Sequence, residues 1–217
     1  MRSTRERILD AAERMFADHG YSATSVRSII AKARVNVAAV HYHFRSKESL
    51  LEAVILRRAK PANEQRLALL DACERAAPGG HPPLREVIQA FLEPSIRVAT
   101  DQTLGGEVFM RLLGRLHAEG DILPKILAMH FMPVLERFSR ALRHALPDLP
   151  PEELYWRLHF AVGATTQALR GADSLEWLSG GLCRSSDPHQ ILERLVGFVS
   201  AGLGAPLTDR CTSGGLT

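Results

Sequence analysis

Between Thr24 and Lys47 the chain runs TSVRSIIAKARVNVAAVHYHFRSK, and this stretch limits the possible folds more than any other. Val26, Ile29, Ile30 and Ala33 recur at helical spacing, which gives one short helix an apolar face. The pattern breaks at Arg34-Val35. Asn36 can then cap a second short helix, in which Val40 and Phe44 sit four apart and point inward. Thr24 is the expected N-cap of the first helix. Ser46, with Glu48 and Ser49 close behind, is the expected cap of a long helix from Lys47. Two short amphipathic helices joined by a tight turn make a helix-turn-helix.

The same spacing separates an outer face from the inner one. Val37, Ala38 and His41 fall outside, and small residues at Ala38 and Ala39 let a helix backbone approach base edges closely. Arg27, Val37, Ala38 and His41 are the candidates for base contact, with Asn36 opening the helix that carries most of them. Thr24, Ser25, Tyr42, His43 and Lys47 are the candidates for phosphate contact. Taken by itself, the pattern also suits the corner of a plain helical bundle.

The longer run ILDAAERMFADHGYSATSVRSIIAKARVNVAAVHYHFRSKESLLEAV resembles the N-terminal domain of the TetR family of bacterial transcriptional repressors. The resemblance is carried by Ile8, Leu9, Ala12, Phe16, Gly20, Tyr21, Thr24, Val26, Ile29, Ala33, Val35, Tyr42, His43, Phe44, Lys47 and Leu50. Two positions depart from it. Members usually have glycine where this chain has Arg34, so a strained or rebuilt turn is expected there. Most have tyrosine at the position of His41, so an operator sequence does not carry over.

Charge is divided unevenly along the 217 residues. Residues 1–60 hold 12 Lys and Arg against 6 Asp and Glu, a net of +6, and the remainder holds 15 against 18, a net of −3. A basic head on a slightly acidic body fits binding of phosphate by the head. Cys73, Cys183 and Cys211 are scattered and show no ligand spacing, which points to a reducing compartment and to no disulfide framework. The amphipathic N-terminus lacks a signal-peptide core, and no apolar run is long enough to span a bilayer. A cytoplasmic protein without membrane contact is expected. His117, His130 and His159 share no ligand motif, so neither metal nor cofactor is expected. No catalytic triad, carboxylate pair or phosphate loop stands out, and the chain is not expected to be an enzyme.

Nearly every long segment has helical periodicity, so the fold class is all-α. Helices are expected over Thr4 to Asp18, from Lys47 toward Ala76 with a kink or break at Pro61, and over Leu84 to Thr100, Leu104 to Ala118, Pro124 to Ala145, Pro151 to Leu169 and Pro188 to Leu203. Gly20 is the expected stop of the first helix, and Arg2 and Arg5 can form an arm before it. Pro94 and Pro133 should bend their helices and leave room for a cavity. Gly171 to Asp187 is expected as a loop. The domains follow: 1–47 a helix-turn-helix head, 48–204 a helical effector-binding and dimerisation body, and 205–217 a disordered polar tail.

The body carries a narrower resemblance. FMRLLGRLHAEG at 109–120 and LPPEELYWRLHFAVGA at 149–164 are similar to PsrA-type repressors, a TetR subgroup that responds to long-chain fatty acids, as is VNVAAVHYHFRSK. That resemblance implies a tunnel with one cationic or polar group at its mouth. Candidate lining residues are Phe91, Met110, Leu113, Met129, Phe131, Trp156 and Phe160, and candidate head-group partners are Arg97, Arg111, His117 and His159. For Arg111 and Arg157 an ion pair is an equal account. The last helix is apolar around much of its circumference, and the family implies a four-helix interface between two copies. Leu154, Leu158, Val162, Leu192, Leu195, Val196 and Val199 are the residues expected there, with Gly163 and Gly197 allowing close approach. The reading is a homodimeric repressor that binds a palindromic double-stranded DNA operator and is released by a small hydrophobic effector, such as a long-chain fatty acid or acyl derivative. A helical small-molecule-binding protein without DNA function stays open, as does a regulator that senses a non-lipid drug or aromatic.

Overall fold

The computed structural model describes residues 3–101, 105–170, 172–183 and 187–207, and among these every regular element is helical. In chain order they are α1 (Thr4–His19), α2 (Val26–Ala33), α3 (Val37–His43), α4 (Lys47–Ala76), a short 3-10 turn (Pro78–Gly80), α5 (Leu84–Thr100), α6 (Gly106–Ala118), α7 (Ile122–Ala145), α8 (Pro151–Arg170), α9 (Ala172–Leu178) and α10 (Pro188–Leu203). The all-α fold class is as the periodicity indicates. Arg2, Leu104 and residues 208–217 of the tail, with Cys211, lie outside the described residues.

Local chemistry sets the helix ends. The Ser3 hydroxyl accepts from the Glu6 N–H and opens α1, and Gly20 closes it with φ 86°. Ser46 and Ser49 cap one another ahead of α4, each hydroxyl accepting from the other's backbone N–H at 3.0 Å. Asp187 opens α10 with Pro188 in the first turn, where a missing N–H costs nothing.

Three sequence expectations are corrected. The first concerns Thr24, which does not open α2; Ser25 does, in a reciprocal cap with Ser28. Thr24 is buried, and its hydroxyl donates to the carbonyls of Gly20 at 2.6 Å and Met15 at 3.1 Å. The second concerns α4, where of the expected kink or break the break is absent: the helix continues through Pro61 for 30 residues. Val54 and Ile55 before the proline and Ala62 after it are all buried, so packing on both sides outweighs the lost hydrogen bond. The third concerns residues 171–187, which contain α9. The glycines and serines that signal a loop stand mainly at its edges, at Gly171 and Ser179 to Gly181, and leave a helix-compatible run between them.

The chain forms two compact units: residues 1–65 with 97–134, and residues 66–96 with 135–217. In the first, Ile8, Leu9, Ala12 and Phe16 of α1 pack with Ile29 of α2, Val40 of α3, Leu50 and Leu51 of α4, and Phe109, Leu112 and Leu116 of α6. The head therefore shares its core with α6, about a hundred residues further along the sequence. In the second, α8 packs on α10, and Leu154, Leu158, Leu195, Val196 and Val199 of these two helices are all buried. The Arg137 guanidinium pairs there with Asp71 at 2.9 Å and with both carboxylate oxygens of Glu74.

Candidate nucleic-acid interface

The presented surface begins with what α2 and α3 bury. Ile29, Ala33, Val40 and Phe44 are turned into the core, which leaves Arg27, Val37, Ala38, His41 and Tyr42 exposed on one side. Tyr42 is 85% exposed and Val37 53% exposed, values that a folded core has no use for. Ser25 is exposed at the start of α2, and Asn36 opens α3 by accepting from the Ala38 N–H at 3.0 Å. Ala39 and His43 are half-buried, and the His43 ring lies edge-on to Tyr42 with centroids 5.1 Å apart. Of the eleven residues expected at this face, Thr24 alone is wholly turned inward.

Lys47 stands beside the turn between α1 and α2, with its ammonium 4.2 Å from the Tyr21 ring centroid and 3.5 Å from the Ser22 carbonyl oxygen. Burial pushes its pKa below the ordinary lysine value, and the Glu119 carboxylate opposes that shift. Glu119, just beyond α6, accepts from the backbone N–H groups of Tyr21 at 3.1 Å and Ser22 at 2.8 Å. The preceding Gly20 makes room for it: a Cβ there would lie 2.0 Å from a Glu119 carboxylate oxygen. Arg111 of α6 pairs with Asp18 at 3.2 Å and with Glu107 at 3.3 Å. The turn between α1 and α2 is thus held from a distant part of the sequence.

Two further arrangements fix the head. Arg57 of α4 bonds Asp10 at 2.7 Å and also Glu13, while Arg58 reaches Glu13 at 2.9 Å. Burial works against the Arg57 charge, but the Asp10 hydrogen bond and the two carboxylates outweigh it and hold its pKa above the ordinary value. The turn between α2 and α3 does pass through a left-handed residue, Arg34, at φ 53° and ψ 49°. Arg7 of α1 donates to the carbonyls of Ala33 and Arg34, each at 2.8 Å. Neither Arg7 nor Glu119 was visible as a functional residue in the sequence. Their partners lie 26 to 98 positions away, and no short-range pattern marks them.

The residues expected to hold an effector are divided between the two units. Arg97, Met110, Arg111, Leu113, His117, Met129 and Phe131 belong to the first unit, and Phe91, Trp156, His159 and Phe160 to the second. Leu113 packs against the core of the first unit, whereas Met129 is 68% exposed. Trp156 and Phe160 stack on the open side of α8, with centroids 5.9 Å apart. A cleft of about 380 Å³ in the second unit is lined by residues 145–149, Arg157 and residues 203–207, none of them among these eleven. Arg157 is an ion pair and a helix cap: it bonds Glu153 at 2.8 Å and the carbonyls of Leu203 and Ala205 at 2.7 and 2.6 Å.

Six of the seven residues expected between two copies, all except Val162, are buried within a single chain. What α8 and α10 leave open is a different set: Tyr155, Trp156, Phe160, Val162 and Phe198, each at least 49% exposed. A Cβ added at Gly163 or Gly197 would meet nothing within 4 Å, so neither glycine serves a close approach inside the chain.

Comparison with known proteins completes the picture. Residues 8–54 match the family described as "Bacterial regulatory proteins, tetR family", and residues 89–202 match "Tetracyclin repressor-like, C-terminal domain". The chain is similar to the HTH-type transcriptional regulator UidR of Escherichia coli, 38% identical over 53 residues, 24% of this chain and 27% of that protein. It is similar to the HTH-type transcriptional repressor KstR2 of Mycolicibacterium smegmatis, 42% identical over 53 residues, 24% of this chain and 27% of that one. These matches thus span about a quarter of each curated relative. Among solved structures, a TetR-like regulator from Rhodococcus sp. RHA1 superposes with a TM-score of 0.64 at 19% identity, covering 95% of this chain and 99% of that one. SmeT, the repressor of a Stenotrophomonas maltophilia multidrug efflux pump, gives 0.61 at 23% identity, with 95% and 96% covered. At these identities the structural likeness speaks for the fold.

Proposed function

This chain belongs to the TetR family of bacterial regulatory proteins, and we propose that it acts as a cytoplasmic homodimeric repressor that inserts α3 into the major groove of a palindromic operator. The observation that carries this reading is the face of α3. Val40 and the following Phe44 are buried, and Val37, Ala38, His41 and Tyr42 stand outward on a helix fixed by caps at both flanking elements. Val37, Ala38 and His41, with Arg27 of α2, contact base edges, and Ser25, Tyr42, His43 and Lys47 meet phosphate. Thr24, with its hydroxyl committed to two carbonyls, contributes by shaping the turn. Residues 1–47 carry the DNA-facing surface, and the remainder serves assembly and release.

Two copies pair through the open faces of α8 and α10. Each exposed aromatic side chain there withdraws roughly 150–250 Å² from water when covered. Stacked Trp156 and Phe160 supply the centre of that surface. No helix among the described residues is long and apolar enough to cross a membrane.

The effector is a small hydrophobic molecule, with a long-chain acyl compound as its first candidate on the PsrA-type likeness of residues 109–120 and 149–164. Release is a shift of population, limited by how much better the effector binds the form whose heads do not fit the groove.

The test is binding of the pure protein to the DNA upstream of its own gene across a salt series, with and without a long-chain acyl compound. Salt-sensitive specific binding that the compound abolishes supports the whole reading. Binding that ignores the compound keeps the repressor and discards the lipid. No specific duplex recovered even from a random library would overturn the DNA-binding reading.

A further inference from the structure

The turn between α2 and α3 is built against its own chemistry. Arg34 is the one non-glycine residue with positive φ among the described residues. A side chain in that left-handed region crowds its own carbonyl, so the conformation persists only where the surroundings impose it. The backbone bonds around it form a Schellman closure: the Val35 N–H reaches the Ile30 carbonyl at 3.3 Å, and the Arg34 N–H reaches that of Ala31 at 3.2 Å. This closure leaves the carbonyls of Ala33 and Arg34 pointing out of the turn. One guanidinium nitrogen of Arg7 donates to both, at 2.8 Å each. Arg7 is followed in α1 by Ile8 and Leu9, both fully buried, so its backbone is anchored to the core.

We propose that Arg7 is a positioning residue for α3, a clamp that replaces the freedom glycine would give position 34. Only Val35 and Asn36 separate the left-handed residue from α3, so a change of φ or ψ at Arg34 swings the whole recognition helix. A charge-assisted bond to two adjacent carbonyls opposes that swing and ties the direction of α3 to α1. The clamp comes from α1, one of the helices packed directly against α2 and α3. This rests on the DNA-binding reading for its functional consequence, though not for the clamp itself.

Arg7 is exposed, and an exposed cation near a DNA-facing turn has a rival role as a phosphate contact. A duplex selected by the wild-type protein from a random library serves as probe for four proteins: wild type, R7A, R34G and R7A/R34G. Each is titrated across a salt series and unfolded thermally. R7A is expected to bind about tenfold more weakly with an unchanged salt slope, because the lost interaction is intramolecular. R34G is expected to bind like wild type. R7A/R34G is expected to return to within about threefold of R34G, because a glycine adopts the left-handed turn without a clamp. A loss that persists in the double variant with a slope shallower by about one phosphate makes Arg7 a DNA contact and overturns the proposal. So does unchanged binding by R7A. If the wild type selects no duplex, the DNA-binding reading fails, and thermal unfolding still decides the clamp. R7A must then lower the melting temperature in the Arg34 protein and leave it unchanged in the R34G background. Equal shifts in both backgrounds would overturn it.

Discussion

The open faces of α3 and α8 are made by the same device and differ in how much apolar area they present: Val37 and Tyr42 on α3, against Tyr155, Trp156, Phe160 and Val162 on α8. Each helix buries one stripe, Val40 in α3 and Leu154, Leu158 and Ala161 in α8, and turns the rest outward. On α3 the outward residues include Ala38 and His41, small or polar enough to leave the backbone accessible. On α8 they include Tyr155, Trp156, Phe160 and Val162 beside the polar His159, and Phe198 of α10 is likewise exposed. A groove with hydrogen-bonding edges needs close approach, whereas an apolar partner needs area. The difference shows that exposure alone does not define a site; the size and polarity of what is exposed names the kind of partner.

The comparison can be broken most sharply on the α8 side. Replacing both Trp156 and Phe160 by Glu should convert a dimer to monomer at micromolar concentration and weaken operator binding by two orders of magnitude or more, since central aromatic anchors carry about 2 kcal/mol or more each. Sedimentation and operator titration measure the two effects, and a dimer that survives would move the interface elsewhere. Ala38→Glu tests the other face. It should abolish specific binding while sedimentation still shows the dimer, because a carboxylate is driven against the DNA and the residues of α8 are unchanged.

Smaller effects sharpen the picture. His41→Ala should relax discrimination at one base-pair position by about 1–3 kcal/mol, read from binding to duplexes substituted at each position. Lys47→Ala should weaken all duplexes alike and reduce the salt slope by about one. A change confined to sequence preference would place Lys47 among the base readers instead.

The smallest effect belongs to stability. The hydrogen bond from Arg137 holds the Glu74 carboxyl below the usual carboxylate range, with burial opposing it. The folded state then binds that proton less readily than the unfolded one. The contribution is present above the unfolded value of about 4.3 and is lost as pH falls from there through the lowered folded value. Glu74→Gln should therefore cost about 1 kcal/mol near neutrality and progressively less below about pH 4, as measured by denaturant unfolding at both pH values.

The sequence carried much of this at short range. The caps at Asn36 and Ser46, the inward turn of Val40 and Phe44, and the full span of α10 follow from spacing within a few residues. The left-handed turn at Arg34 was visible as a departure from glycine. The cap of α2 was placed one residue early, at Thr24 instead of Ser25, because two adjacent hydroxyls are equally able to cap and only the Gly20 and Met15 carbonyls settle which one turns inward. The apolar positions of α10 were legible, but their partner was not: helical period gives a face, and only tertiary packing shows that α8 of the same chain takes it. Glu119 had no signal at all, because its role depends on two amides nearly a hundred residues earlier.

Position 20 shows how narrow a path such a contact leaves for sequence drift. Its backbone, at φ 86° and ψ 167°, lies where essentially only glycine rests. The space a side chain would enter already holds an oxygen of Glu119. Shortening Glu119 opens the space but not the backbone angle, and relaxing the backbone shifts the two amides that Glu119 engages. A viable replacement at position 20 therefore requires coordinated changes in at least two distant places at once, so this corner of the head is closed to stepwise exploration.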